Sequence, residues 1–247
     1  MYIIAEIGIN HQGDMALAKA MIQMAKDCGA DAVKFQLYDS DKLLEPELAK
    51  RVRHCDLSRE QWQGLVEFAD IVKMPISASV FDLERLEWLK ATDPPWYKVA
   101  SRTFKHDADL TKAILSLGKT SYISLGMAES CLDRIWSTLE NYKHAHYVFC
   151  VSDYPATITF DHLDLWRRWS FSGYHGIIYN DNFVGFSSHT GDIEAPLWAI
   201  AHGAKVIEVH FSPDKSQPGV DQVSSIEPDD LRTLCRLAPE IERLAGL

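Results

Sequence analysis

Glu208 and His210 stand two positions apart in Lys205-Val-Ile-Glu-Val-His210, and both are residue types that move protons and bind metal ions. Side chains of a strand alternate faces, so Val206, Glu208 and His210 share one side while Ile207 and Val209 share the other. The same count sets Glu6 with Ile4 against Ile3, Ala5 and Ile7, sets Lys34 with Gln36 against Val33 and Phe35, and sets Lys98 against Tyr97 and Val99. A buried charge costs several kcal/mol unless it is paired or coordinates something, so charged groups on the same face of several strands call for a chemical reason. Carboxylates near lysines suit proton transfer beside an anionic substrate. His189, in Gly185-Phe-Ser-Ser-His-Thr190, falls just past the strand that precedes His210. Two imidazoles with carboxylates nearby suit a divalent metal such as Mn, Zn, Fe or Co with open positions. Without an H-x-x-x-H spacing, the pair is equally consistent with satisfied core histidines.

The elements that must position these groups alternate throughout. Short apolar, β-rich runs predict strands at Tyr2–Ile7, Ala32–Gln36, Pro75–Ser79, Trp96–Ala100, Thr120–Ser124, Tyr147–Val151, Val184–Ser187 and Lys205–Phe211. Amphipathic stretches predict helices at about Asp14–Cys28, Ser58–Val72, Leu83–Ala91, Ala108–Leu117, Cys131–Tyr142, His162–Trp169, Glu194–His202 and Pro228–Leu244. Ser58 with Gln61, and Asp14 before a leucine and methionine stripe, are N-cap signals. Gly29, Gly118 and Gly203 fall where helices should end. An unbroken βα alternation with eight strands closes most naturally into a (β/α)8 TIM barrel of the α/β class, with an open doubly wound sheet as the alternative. In such a barrel the carboxyl ends of the strands carry the chemistry, and the polar residues lie toward those ends. No Pro/Gly/Ser linker or composition shift divides residues 1–247, which read as a single domain. The longest expected loops are Leu37–Leu57, Phe171–Asn182 and Ser212–Glu227.

Composition narrows the function. With 25 Lys+Arg against 35 Asp+Glu, the net charge of −10 disfavours a broad nucleic-acid surface, and the basic residues are dispersed. The five cysteines (Cys28, Cys55, Cys131, Cys150, Cys235) are odd in number and form no C-x-x-C, which points to reduced thiols. The chain enters a strand pattern at once, with no basic and then apolar leader and no run of membrane-spanning length, so a cytoplasmic setting is expected. No P-loop, G-x-G-x-x-G or G-x-S-x-G is present. The histidines other than His11, His189 and His210 read as surface or loop residues, and Trp166 and Trp169 as helix packing.

In its strand and turn motifs the chain resembles the N-acetylneuraminate (sialic acid) synthase family. The matching stretches are Ala5-Glu-Ile-Gly-Ile-Asn-His-Gln-Gly13, Gly29-Ala-Asp-Ala-Val-Lys-Phe-Gln36, Lys98-Val-Ala-Ser101, Ile123-Ser-Leu-Gly-Met127, Cys150-Val-Ser-Asp-Tyr-Pro155, Gly185-Phe-Ser-Ser-His-Thr190 and Glu208-Val-His-Phe211, followed by Asp214-Lys and Pro218-Gly-Val-Asp221. They run in family order from first strand to last. The resemblance implies a transferase that condenses phosphoenolpyruvate with the open-chain aldehyde of N-acetylmannosamine or a related hexosamine, giving a nonulosonic acid and phosphate. It implies that His189 and His210 bind a divalent metal, Mn2+ first, with Mg2+ or Co2+ as alternatives. Lys34, Lys98, Ser79, Ser101, Ser124 and Ser187 would hold phosphoenolpyruvate, Lys98 serving catalysis as well. Gln36, Tyr154 and Asp221 would meet the sugar, with Ser152 in the substrate site, and Glu6 or Glu208 would act as acid or base. A homodimer is also implied. A synthase for another keto-sugar acid, and a barrel that binds sugar or phosphoenolpyruvate without turnover, are the alternatives.

The departures from the family pattern fall on the sugar side. Arg102 and Thr103 follow Ser101 where the family usually has Gly-Glu, Ser152 stands for Asn, Ser188 for Asp, and Gln222 for His. The sequence stops at Leu247, after the expected eighth helix, without the small C-terminal antifreeze-like domain that helps relatives grip the sugar.

Overall fold

The computed structural model describes residues 1–247 except 44, 128–136, 139–140, 160 and 166–182. Eight parallel strands close into a barrel in sequence order: β1 (Tyr2–Gly8), β2 (Ala32–Leu37), β3 (Ile76–Val80), β4 (Tyr97–Val99), β5 (Ser121–Ser124), β6 (Ala145–Cys150), β7 (Phe183–Ser188) and β8 (Val206–His210). β1 pairs with β2 on one side and β8 on the other, which decides for the closed TIM barrel over the open sheet. Strand ends differ from the sequence reading by a residue or two. The largest difference is at β6, which starts two residues and ends one residue earlier than expected; β4 is shortened by one residue at each end, between Pro94-Pro95 and a helix that begins at Ser101.

Among the described residues the helices with both ends defined are α1 (Met15–Cys28), α2 (Pro46–Val52), α3 (Arg59–Val72), α4 (Leu83–Ala91), α5 (Ser101–His106), α6 (Ala108–Leu115), α7 (Glu194–Ala201) and α8 (Pro228–Ala245). Their ends follow local chemistry. Asp14 accepts hydrogen bonds from the backbone N–H groups of Ala16 and Leu17, and Ser58 with Gln61 forms a reciprocal capping box on α3. Gly29 ends α1 at φ 97°, a conformation that relieves the strain a Cβ would bring. α2 lies inside the segment expected to be a loop. It has only seven residues, of which just Ala49 and Val52 are buried, too short a stripe to show a helical period. α5 was likewise not anticipated. The expected helices at Cys131–Tyr142 and His162–Trp169 and the expected loop Phe171–Asn182 lie wholly or partly outside the described residues, although residues 161–165 are helical.

Two apolar layers frame the site. The outward faces of the strands (Ile3, Ala5, Ile7, Val33, Phe35, Ile207, Val209) pack under the helices as the main core. Inside the barrel, Ile4, Ala32, Trp96 and Val206, with Tyr2, Tyr122 and Val184 against them, form a separate cluster. Because Ile4 and Val206 each stand one alternation below a polar residue, this cluster floors the barrel on the amino side of Glu6 and Glu208. The Trp96 Nε1–H donates to the Tyr2 hydroxyl at 3.3 Å, tying the floor across the interior. Among the described residues no helix is long and apolar enough to cross a membrane.

Candidate active site

Strand register brings the polar residues together. Glu6 lies opposite both Lys34 and His210, Gln36 opposite Ser79, Ser79 opposite Lys98, and Ser187 opposite Glu208. They converge because each occupies the inward alternation above the apolar floor. The result is a cavity of about 370 Å³ at the carboxyl ends of the strands, and all fourteen residues singled out from sequence line it: Glu6, Lys34, Gln36, Ser79, Lys98, Ser101, Ser124, Ser152, Tyr154, Ser187, His189, Glu208, His210 and Asp221.

A line of alternating charge runs across its base. Lys34 Nζ meets Glu6 Oε2 at 2.8 Å and Glu208 Oε2 at 3.7 Å and donates to Ser79 Oγ at 3.0 Å. Lys98 Nζ meets Glu208 Oε1 at 2.7 Å, and the Ser187 hydroxyl donates to that same oxygen at 2.8 Å. Gln36 Nε2 donates to Glu6 Oε1 at 3.1 Å and lies 3.5 Å from Asp221 Oδ2. The four ions are almost completely buried. The two carboxylates therefore behave differently. Burial, reinforced by repulsion from Glu208, pushes Glu6 up to about 7 against the pull of Lys34. Burial acts on Glu208 too, but Lys34 and Lys98 together hold it below the ordinary carboxylate range. One carboxyl thus exchanges its proton near neutrality while its neighbour stays ionised.

The two histidines sit beside this line. His189 lies just beyond β7, and its ring centroid is 5.2 Å from that of His210. Tyr154 stacks on His189 at 4.3 Å, with its hydroxyl 3.1 Å from His189 Nε2. His189 Nδ1 lies 2.6 Å from the Val151 carbonyl, which can only accept, so Nδ1 carries the proton and Nε2 keeps its lone pair. Burial pushes His189 down to about 4, and burial with repulsion from His189 holds His210 well below its ordinary value. His210 Nδ1 is buried without a hydrogen bond, 3.7 Å from Asp221 Oδ2, and burial raises Asp221 to about 6. Two neutral imidazoles, one whose Nε2 lone pair is met only by the exchangeable Tyr154 hydroxyl and one with an unpartnered buried nitrogen, fit a divalent ion. Among the described residues no group of three His, Cys, Asp or Glu is placed to hold one, so such an ion would keep open positions for water or substrate oxygen.

Residues 21–247 match the NeuB family. The chain belongs to it. It is 34% identical to human N-acetylneuraminate-9-phosphate synthase over 99% of this chain and 71% of that protein. It is 31% identical to N,N'-diacetyllegionaminic acid synthase of Campylobacter jejuni, over 99% of this chain and 77% of that one. Among solved structures, the N-acetylneuraminic acid (sialic acid) synthetase of Leptospira borgpetersenii serovar Hardjo-bovis, in complex with citrate, superposes with a TM-score of 0.88 at 30% identity, covering 100% of this chain and 85% of that one. NeuB proteins are phosphoenolpyruvate-dependent condensing enzymes that make nonulosonic acids, and this chain is one of them.

The NeuB cavity also contains residues that the sequence reading did not place in the site, among them Arg102, which there marks only a departure from the family pattern. Arg102, on α5, pairs with Glu45 at 3.5 Å, and both line the cavity. So does a group of apolar side chains from the segment after β2, which resembled an ordinary loop. His11, set apart from the other histidines in the sequence, is fully buried but outside the cavity lining. Its Nδ1 accepts from the Gly13 N–H at 3.1 Å, and burial pushes it down to about 4.

Proposed function

We propose that this chain condenses phosphoenolpyruvate with the open-chain aldehyde of N-acetylmannosamine or a related hexosamine, releasing phosphate and a sialic-type acid, with residues 1–247 acting as one barrel domain. The observation that carries this reading is the convergence of Lys34, Lys98, Glu6, Glu208, His189 and His210 on a single enclosed cavity. A divalent metal, Mn2+ first, would be held by His189 and His210 and would act as a Lewis acid toward the aldehyde oxygen.

The chain's own groups account for the remaining steps. Phosphoenolpyruvate is a trianion, and desolvating it is offset when Lys34 and Lys98 turn from their carboxylate partners toward phosphate and carboxylate oxygens. The hydroxyls of Ser79, Ser101, Ser124, Ser152 and Ser187 lie around the cavity as further donors. As C3 of the enol attacks the aldehyde carbon, the carbonyl π pair passes to the aldehyde oxygen, which takes a proton from solvent water, and positive charge develops at C2, next to ionised Glu208. Glu6 takes a proton from the water that adds at C2, and the C2–O bond to phosphate then breaks. Gln36, Tyr154 and Asp221, which line the same cavity, would meet the sugar.

The test is phosphate release on mixing the protein with phosphoenolpyruvate, Mn2+ and N-acetylmannosamine; silence across a panel of aldoses would refute the reading. The charge of the lining also bears on the acceptor. Of the three lining cations, Lys34 and Lys98 sit in buried pairs, and Arg102 already faces Glu45. An uncharged hexosamine is therefore expected to give the higher kcat/KM, and its 6-phosphate the lower, by about tenfold for one imperfectly compensated charge.

The backbone at Gly126 helps to position the serine hydroxyls of the cavity. The Gly126 N–H donates to Ser101 Oγ and Cys150 Sγ, both at 3.1 Å. A Cβ on Gly126 would stand 2.3 Å from Ser152 Oγ and 2.6 Å from Cys150 Sγ, so side chains on the phosphoenolpyruvate side must shift. Gly126→Ala is expected to lower unfolding free energy by about 1–3 kcal/mol. It should raise the KM for phosphoenolpyruvate about 10- to 100-fold, the scale of one displaced hydrogen bond to a charged group. Denaturant melts and initial rates measure both, and an unchanged KM would remove these serines from substrate binding.

A further inference from the structure

One wall of the cavity contributes no chemistry to the reaction described above. Ile9, Tyr38, Leu48, Val52, Phe81 and Val220 belong to an apolar cluster distinct from the main core, and all of them line the cavity. They come from the turn after β1, the end of β2, α2, the turn after β3 and the loop after β8. Tyr38 carries the only hydroxyl among the six, and it already donates to the Val52 carbonyl at 2.8 Å. A sugar hydroxyl laid on this wall would give up water and find at most the Tyr38 oxygen as an acceptor, whereas an apolar group would gain from burial.

The wall is joined to the proposed sugar contacts at two points. Tyr38 is two residues beyond Gln36, and Val220 directly precedes Asp221, with both Gln36 and Asp221 on the same cavity. An acceptor held by Gln36 and Asp221 therefore has one flank against the wall. We infer that the Ile9–Tyr38–Leu48–Val52–Phe81–Val220 wall is a subsite for an apolar substituent of the acceptor sugar, and that it selects acceptors by the length of an N-acyl chain. This inference rests on the condensing activity proposed above and adds a specificity determinant to it. The continuity of the wall with the polar base of the cavity favours a substrate group over a second copy of the chain as its occupant.

The experiment compares N-acetyl-, N-propanoyl- and N-butanoyl-mannosamine at saturating phosphoenolpyruvate and Mn2+. Each added methylene is expected to lower the acceptor KM about fourfold with kcat little changed, and Leu48→Ser should flatten that gradient to less than about twofold per methylene. Saturation-transfer NMR on the wild-type protein, which needs neither turnover nor a variant, should show the acyl chain saturated more strongly than the ring protons. A KM that is flat or rises with chain length, or a gradient that survives Leu48→Ser, would overturn the subsite, as would stronger saturation of the ring. Phosphate release from a 6-phosphorylated aldose alone would sink the inference while leaving the condensing activity in place. Release with no aldose would sink the activity, and the NMR result would still decide the subsite. A change of mass on replacing Leu48, without a change in the gradient, would assign the wall to contact between copies and also overturn it.

Discussion

Glu6→Gln is expected to lower kcat by about 10²–10⁴-fold while leaving phosphoenolpyruvate binding intact or tighter. The side chain lies at the base of the cavity, 1% exposed, accepting from Gln36 and paired with Lys34. Burial raises its proton affinity to about 7, close to the pH at which a general base works best. Glutamine keeps the shape and one acceptor oxygen, so the packing survives. It also removes a negative charge that a trianionic substrate must approach. In the wild type, the acid limb of the kcat/KM profile should rise through about pH 7 as Glu6 ionises, and in the variant that limb should disappear. A Gln variant within about tenfold of wild type would pass the base role to Glu208.

The same shift has a consequence for stability. The folded value of about 7 exceeds the ordinary carboxyl value of about 4.3, so the folded state favours the protonated group. Stability contributed by Glu6 is full below the unfolded value and is lost as pH rises through about 7. Glu6→Gln cannot ionise, so denaturant midpoints between about pH 5 and 8 should fall less with rising pH in the variant than in the wild type.

The barrel was legible because two periods were written cleanly into the chain. Ile3, Ala5 and Ile7, and likewise Ile207 and Val209, alternate with the inward residues, and apolar stripes on α1 and α3 alternate with strands. Alternation also put Glu6, Lys34, Lys98 and His210 on the inward side, because the face of a side chain follows from its position in the strand. Which carboxylate pairs with which lysine was not legible. Lys98 reaches Glu208 across 110 positions, a contact created only by closure of β8 onto β1. The apolar wall was hidden for the same reason: Ile9, Val52 and Val220 come from segments without a period of their own and form a surface only when the barrel assembles them. The Arg102–Glu45 pair depends on α2, whose few buried positions left no sequence signal.

His210→Ala should lower turnover by at least about 10³-fold, a loss of about 4 kcal/mol, and should weaken Mn2+ binding by more than about 100-fold. Burial holds both imidazoles neutral at neutral pH, with His189 brought down to about 4, so they serve as nitrogen donors without first losing a proton. Since no third side chain of ligand type completes the set among the described residues, removing one histidine halves the protein's share of the ligands. Truncation opens little else. The His210 ring has no directed hydrogen bond at Nδ1 to break, and its neighbour Tyr154 remains anchored on His189. The variant should therefore keep its fold and its phosphoenolpyruvate affinity. Calorimetric Mn2+ titration reads the metal separately from catalysis, and unchanged titration together with wild-type turnover in the presence of chelator would show that these two histidines hold no metal.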